Sequence, residues 1–167
     1  MADKTVTVRP SGGTYTSLAA AIAGELTANA DLTAAGMNGI LTISIEGTWS
    51  SADSTIAAVD GFTTDSTHYV VIQADASNRA VKSGWSTSRY RLEGGTIWSG
   101  HQLLVADPYT RVIGLQVGLT GGANAAIIKV TAANCRVVSC RVTGAGAHEG
   151  SRPEAGGYII SSCAYNV

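Results

Sequence analysis

The 167 residues carry a formal net charge of −1, with 45% hydrophobic and only 14% charged side chains, and 20 glycines. Globular chains average roughly 25% charged residues and about 7% glycine, so polarity here rests on Ser, Thr, Asn and Gly, which suits strands and tight turns and not a helical bundle. The lysines, Lys4, Lys82 and Lys129, are scattered and no basic run exists, which argues against a nucleic-acid partner, whose phosphates need clustered cations.

Residues 4–9 alternate, with Val6 and Val8 on one face, and predict a short strand. Pro10, Gly12 and Gly13 end it. Thr16 or Ser17 can cap a helix, and Leu18, Ile22 and Leu26 recur at i, i+4 and i+8, predicting an amphipathic helix over 16–26. Residues 27–39 read as loop. Leu41, Ile43 and Ile45 alternate with Thr42, Ser44 and Glu46 in a second strand. Residues 50–68 show little periodicity. Val70, Ile72 and Ala74 predict a third strand, and residues 90–92 and 96–98 are short extended segments.

The second half holds an internal repeat. Residues 111–117 align over 136–142 at an offset of 25, placing Ile113, Leu115 and Val117 over Val138, Cys140 and Val142. The same offset places Leu103 over Ile128 and Val105 over Val130. A third copy starts near Ile160, after a polar insertion in 144–156. Strand neighbours lie about 4.8 Å apart. Short strands joined by tight turns therefore close one coil, and the next coil stacks on it in parallel. Inward positions such as Ile113 and Val138 are expected to form ladders. No coil buries its own face, and an open end exposes unpaired backbone, so a helix after the first strand is expected to cover that end. The expected fold is all-β, a parallel solenoid. Its strand-plus-helix cap occupies 1–40 and its coils 41–167, in one domain overall. The register leaves the last residue midway through a coil, so either more chain or a partner is expected there.

Three cysteines, Cys135, Cys140 and Cys163, form no CxxC pair. They are expected to be buried reduced thiols, with neither a disulfide framework nor a zinc site. No run approaches the ~20 apolar residues of a membrane span. No charged segment followed by an apolar one opens the sequence, so no secretory signal is read, and synthesis in a cytoplasm is expected.

Residues 5–22 resemble the N-terminal cap of pectate-lyase-like right-handed parallel β-helices. In that family a strand, a glycine turn, an aromatic-Thr-Ser/Thr-Leu step and an Ala-rich helix recur. Residues 63–72, 90–92 and 110–117 are similar to β-helix proteins encoded by tailed bacteriophages. The resemblance implies a right-handed helix and leaves function open, because the fold hosts lyases, hydrolases, tail spikes and structural proteins.

The chemistry such enzymes need is sparse here. A calcium-dependent lyase needs clustered Asp ligands, but Asp53, Asp60, Asp65 and Asp107 are spread out. Asp107 and Arg111 are close in sequence, yet Asp107-Pro108 reads as a turn. A glycosidase needs two carboxylates roughly 5–10 Å apart, and Glu46 with Glu93 is the pair that stacking could bring together. His68 and His101 stand alone beside predicted strands. The densest ionisable cluster is His148, Glu149 and Arg152 in the inserted loop, a place where rigid scaffolds often carry function. Trp49, Trp85 and Trp98 could stack on sugars or fill the core or an interface. These six are the candidate carbohydrate- or partner-binding residues. No catalytic residue, metal site or cofactor is assigned. The expected role is a non-enzymatic virion protein of a tailed phage: a tail fibre, spike or capsid decoration module. Its expected partners are further copies of itself, other virion proteins and a surface polysaccharide. The alternative is the N-terminal part of a carbohydrate-active β-helix enzyme, a lyase or depolymerase acting outside the cell.

Overall fold

The computed structural model describes residues 3–96, 99–121 and 124–144, and the backbone of 157–158. Alternating β-branched residues form β1 (Lys4–Val8), and Ser17 then caps α1 (Leu18–Asn29) by accepting a bond from the backbone N–H of Ala20 at 3.1 Å. Next along the chain are β2 (Leu41–Ile45), β3 (Ala57–Val59), β4 (Val70–Ala74), β5 (Leu92–Thr96), β6 (Ser99–Val105) and β7 (Arg111–Ile113). After them come β8 (Gln116–Gly121), β9 (Asn124–Val130), β10 (Arg136–Val138), β11 (Arg141–Gly144) and β12 (Gly157–Tyr158). Among the described residues the molecule is all-β apart from α1.

Three sheets result. The first runs β1-β2-β4-β7-β10, the second β12-β11-β8-β5 and the third β3-β6-β9. Among the described residues every strand pairing is parallel except β11 with β12. From β4 onward the chain enters the first, second and third sheets in turn and then begins again. The offset of 25 is the pairing itself: Arg111 faces Arg136, Gln116 faces Arg141, and Leu103 faces Ile128. β1 pairs with β2 over its whole length, so the first strand shares a sheet with the later ones.

The register was legible, but the phase was not. Ile113 pairs with Val138 as expected, yet both point outward and are partly exposed. The inward ladder of the first sheet is Val6, Ile43, Ile72, Val112 and Val137, all buried. The alternation slips because Gly114 (φ 75°) and Ser139 (φ 54°) take the left-handed conformation at the corner after β7 and β10. One residue there turns the chain and resets the alternation, so Leu115 and Val117 do point inward. The preceding corner repeats in the same way, with Tyr109 (φ 61°) and Asn134 (φ 60°) also 25 residues apart.

β3 lies inside the stretch, residues 50–68, that shows little periodicity. Its inward residues are Ala57 and Val59, while the bulkier Ile56 beside it is 50% exposed. A three-residue strand with Ala inside carries too little pattern to detect. The third repeat near Ile160 and the inserted loop fall outside the described residues.

The segments that lead into strands of the first sheet stack on one another. The Leu32 N–H donates to the Thr63 carbonyl (3.0 Å), the Thr64 hydroxyl to the Pro108 carbonyl (2.8 Å), and the Tyr109 N–H to the Ala133 carbonyl (3.2 Å). This corner is therefore as layered as the sheets.

α1 lies against β1, β2 and β3, with Leu18, Ala21 and Ile22 buried. Gly24 gives Tyr15 passage across it. A Cβ there would sit 2.6 Å from the Tyr15 ring, whose hydroxyl donates to Glu25 at 3.0 Å. Gly24→Ala is expected to lower stability by up to about 2 kcal/mol, because overpacking of about 1–3 kcal/mol outweighs the ~1 kcal/mol helix-propensity gain. Urea denaturation measures it; a stabilised variant would mean Tyr15 does not lie there.

Candidate functional site

Three buried carboxylates are the strongest candidates for chemistry, and each is fully occupied. Asp53, 6% exposed, accepts from the Leu18 N–H at 2.8 Å and the Tyr90 hydroxyl at 3.0 Å. It therefore holds the start of α1, where an anion also meets the positive end of the helix dipole. Its backbone bridges to Leu92, joining this loop to the second sheet. Tyr90 is fully buried, and burial together with the Asp53 carboxylate raises its phenol well above the usual range. Asp107 accepts from the N–H groups of Gly61 and Phe62, both at 2.9 Å, and ties its layer to the one before. Burial raises its pKa despite those two donors. The expected turn at Asp107-Pro108 is thus also an anchor between layers. Glu25 binds Lys4 at 2.7 Å, the Tyr15 hydroxyl, and Asn29 at 2.9 Å.

The glycosidase pair is not assembled. Glu46 follows β2 in the first sheet and pairs with Arg9, while Glu93 lies in the second sheet and pairs with Arg91 at 3.1 Å. No group of three or more His, Cys, Asp or Glu side chains could hold a metal among the described residues.

Of the candidate binding residues, Trp49 is 4% exposed. It meets Tyr90 edge-on at 4.8 Å, and its indole N–H donates to the Glu46 carbonyl at 2.9 Å. It is a core residue, closed to a sugar face. Trp85 is partly buried and lies against Gly118, where a Cβ would come within 2.9 Å of its ring. Trp98, His148, Glu149 and Arg152 lie outside the described residues.

Trp85 belongs to the long segment between β4 and β5, which covers the outer face of the second sheet. Two buried amides hold it down. Asn78 donates to the Gly47 carbonyl and accepts from the Tyr90 N–H, each at 2.9 Å. Gln116 accepts from the Ser86 N–H at 2.7 Å and donates to the carbonyls of Ser86 and Tyr90. Neither amide stood out in the sequence, because these cross-segment partners are 12 to 31 residues away.

His68 is buried, with Nδ1 at 2.9 Å from Asp65 and Nε2 at 3.0 Å from Asn38 Oδ1. Both ring nitrogens are engaged, so it joins two corner loops and offers no free base. The His68 ring, helped by backbone N–H groups of Thr67 and His68, holds the Asp65 carboxyl well below the carboxylate range. A carboxyl lowered by folding gives stability that is complete above its unfolded pKa of about 3.9 and is lost as pH falls toward the folded value. Melting temperature is therefore expected to fall between about pH 4 and 2, and Asp65→Asn to flatten that fall while lowering the melt at pH 7. An unchanged acid slope in the variant would remove Asp65 from the cause.

Cys135 and Cys140 are buried, and Cys140 is pushed up to about 11 by burial. Burial raises Cys135 as well. Both are expected to resist a thiol reagent in the native protein and to react on unfolding, as peptide mass mapping would show. Cys163 lies outside the described residues.

No family model matches this chain, and no curated protein or solved structure is significantly similar to it. What the described side chains do is tie layers together. They bring no acid, base or nucleophile to a common open point.

Proposed function

We propose that the three sheets are the walls of a right-handed parallel β-helix, capped at its start by α1, and that the chain is a structural virion protein of a tailed phage. A tail fibre, spike or capsid decoration module fits best, assembling with further copies and with other virion proteins. Three features support the helix: the cyclic order of sheets, the common step of 25 and the left-handed corner residues recurring at that step. The non-enzymatic role rests on one observation. The buried carboxylates Glu25, Asp53 and Asp107 all spend their oxygens on backbone or side-chain donors that hold layers in place. A polysaccharide-cleaving site would instead leave at least one such carboxylate open to substrate. The phage assignment rests on the resemblance of residues 63–72, 90–92 and 110–117.

Two measurements test this. Capsular polysaccharide and pectin incubated with the chain should keep their viscosity and gain no reducing ends; depolymerisation would favour the enzyme reading. Antibodies to the chain should label purified phage particles of the source lysate by immunogold microscopy. Particles free of label would overturn the virion role.

A further inference from the structure

Charge is divided along the stacking direction. Residues 3–75 hold two cations against eight carboxylates, a net of −6, whereas residues 76–144 hold eight cations against two carboxylates, a net of +6. The near-neutral total hides this because the halves cancel. Strands of the first sheet lie in chain order, so the division is spatial and runs from the first layers to the last.

The two signs meet on one edge, the layered corner between the third and first sheets. In its early layers stand Asp3, whose carboxylate accepts from the Ile40 N–H beside the start of β2, and Asp31, Asp60 and Asp65. Asp3 and Asp60 are exposed, and the Asp65 side chain is 43% exposed. In the later layers Arg111 and Arg136 face each other as Cα partners at the starts of β7 and β10. Like charges opposed on neighbouring strands repel. Arg111 is partly relieved by stacking 4.1 Å over the Tyr69 ring. Among the described residues neither guanidinium has a carboxylate within salt-bridge distance. Val71, Ile113 and Val138, outward and partly exposed, flank the arginines with apolar surface.

We infer that this edge is an interface for a second copy of the chain running in the opposite direction. A two-fold axis crossing the edge at its middle sets the acidic layers of each copy against the arginine layers of the other, and every contact is made twice. The edge complements itself only in this orientation. A side-by-side parallel copy would oppose acid to acid and arginine to arginine, and a partner of one sign would be repelled by half of the edge. Apolar contact through Val71, Ile113 and Val138 supplies the area that exposed ion pairs alone do not, since those contribute little each. The inference deepens only the assembly part of the reading above, and it stands on the fold whether or not the chain belongs to a particle.

Sedimentation equilibrium of the full chain tests it. At about 50 mM salt a dimer mass is expected, with dimer affinity dropping about tenfold or more at about 500 mM, where the screening length shortens. Arg111→Glu with Arg136→Glu should give a monomer, as should Asp3→Lys with Asp60→Lys, two exposed positions. An equimolar mixture of the two reversed proteins should recover the dimer mass, because each restores what the other lost. Circular dichroism confirms folding, and if a reversed protein fails to fold, Arg111→Gln with Arg136→Gln should weaken the dimer instead. A monomeric parent at low salt, or a dimer indifferent to these changes, overturns the inference. An oligomer that the mixture does not recover overturns the antiparallel orientation. Particle labelling and polysaccharide assays are untouched by either result.

Discussion

Asp53→Ala is expected to destabilise the protein by roughly 3–5 kcal/mol. It leaves the Leu18 N–H and the Tyr90 hydroxyl without their acceptor in a buried setting. Each orphaned donor costs about 1–3 kcal/mol, toward the upper end where the acceptor was charged. Losing an anion at a helix start adds about 0.3–1 kcal/mol. Whole domains have only about 5–15 kcal/mol of stability, so a large part of the margin is at stake. Asp53→Asn keeps one acceptor oxygen and should cost less, about 1–3 kcal/mol. Tyr90→Phe removes one donor with its oxygen and should cost about 1–2 kcal/mol. In the Asp53→Ala/Tyr90→Phe double variant the costs should fall short of additivity, because the two groups share one bond. Urea denaturation of the four proteins measures all of this. An Asp53→Ala protein as stable as its parent would mean the carboxylate is not a staple, and a catalytic reading of it would reopen.

The same reasoning explains why the buried acids were hard to read. Asp53 sits in a Ser- and Thr-rich stretch that reads as solvated loop, and its partners are 35 and 37 residues away. Asp107 reads locally as a turn, while its donors are 45 and 46 residues earlier. Nothing within a helical turn or a strand's length of either residue announces the contact. The 25-residue register was legible for the opposite reason: it is carried by identical residue types, Arg111 over Arg136 and Val112 over Val137, on strands that are neighbours in space. The strands β1, β2 and β4 were legible from period alone, and capping chemistry narrowed the helix start to Thr16 or Ser17, of which Ser17 is the cap. In the earlier layers the step is irregular, because the long segment after β4 inserts between Ile72 and its partner Val112. Repetition alone could not find that pairing. Of the tryptophans, the sequence could not separate a buried ring from an open one. The deciding partners of Trp49, the Glu46 carbonyl and the Tyr90 ring, come together only when two sheets meet.

Ile72→Ala should cost about 2–5 kcal/mol, while Ile113→Ala should cost under about 1 kcal/mol. Ile72 is fully buried at the centre of the five-strand sheet, with Ile43 on one neighbouring strand and Val112 on the other. Truncating it loses transfer free energy and opens a cavity between two strands that cannot close on it without breaking their ladders. Ile113, one position beyond Val112, points to the outer face and is partly exposed, so its loss removes surface contact and no core volume. Strict alternation through 113, 115 and 117 would reverse this order, making Ile113 a core residue. The left-handed corner at Gly114 is what separates the two outcomes, because it resets the alternation between Val112 and Leu115. Val138→Ala, the partner of Ile113 one layer on, should be equally mild, and Val137→Ala should be the more costly of that pair. Denaturant midpoints for these four variants therefore decide the phase of the ladder, and a severe loss at Ile113 with a mild one at Ile72 would turn the first sheet inside out.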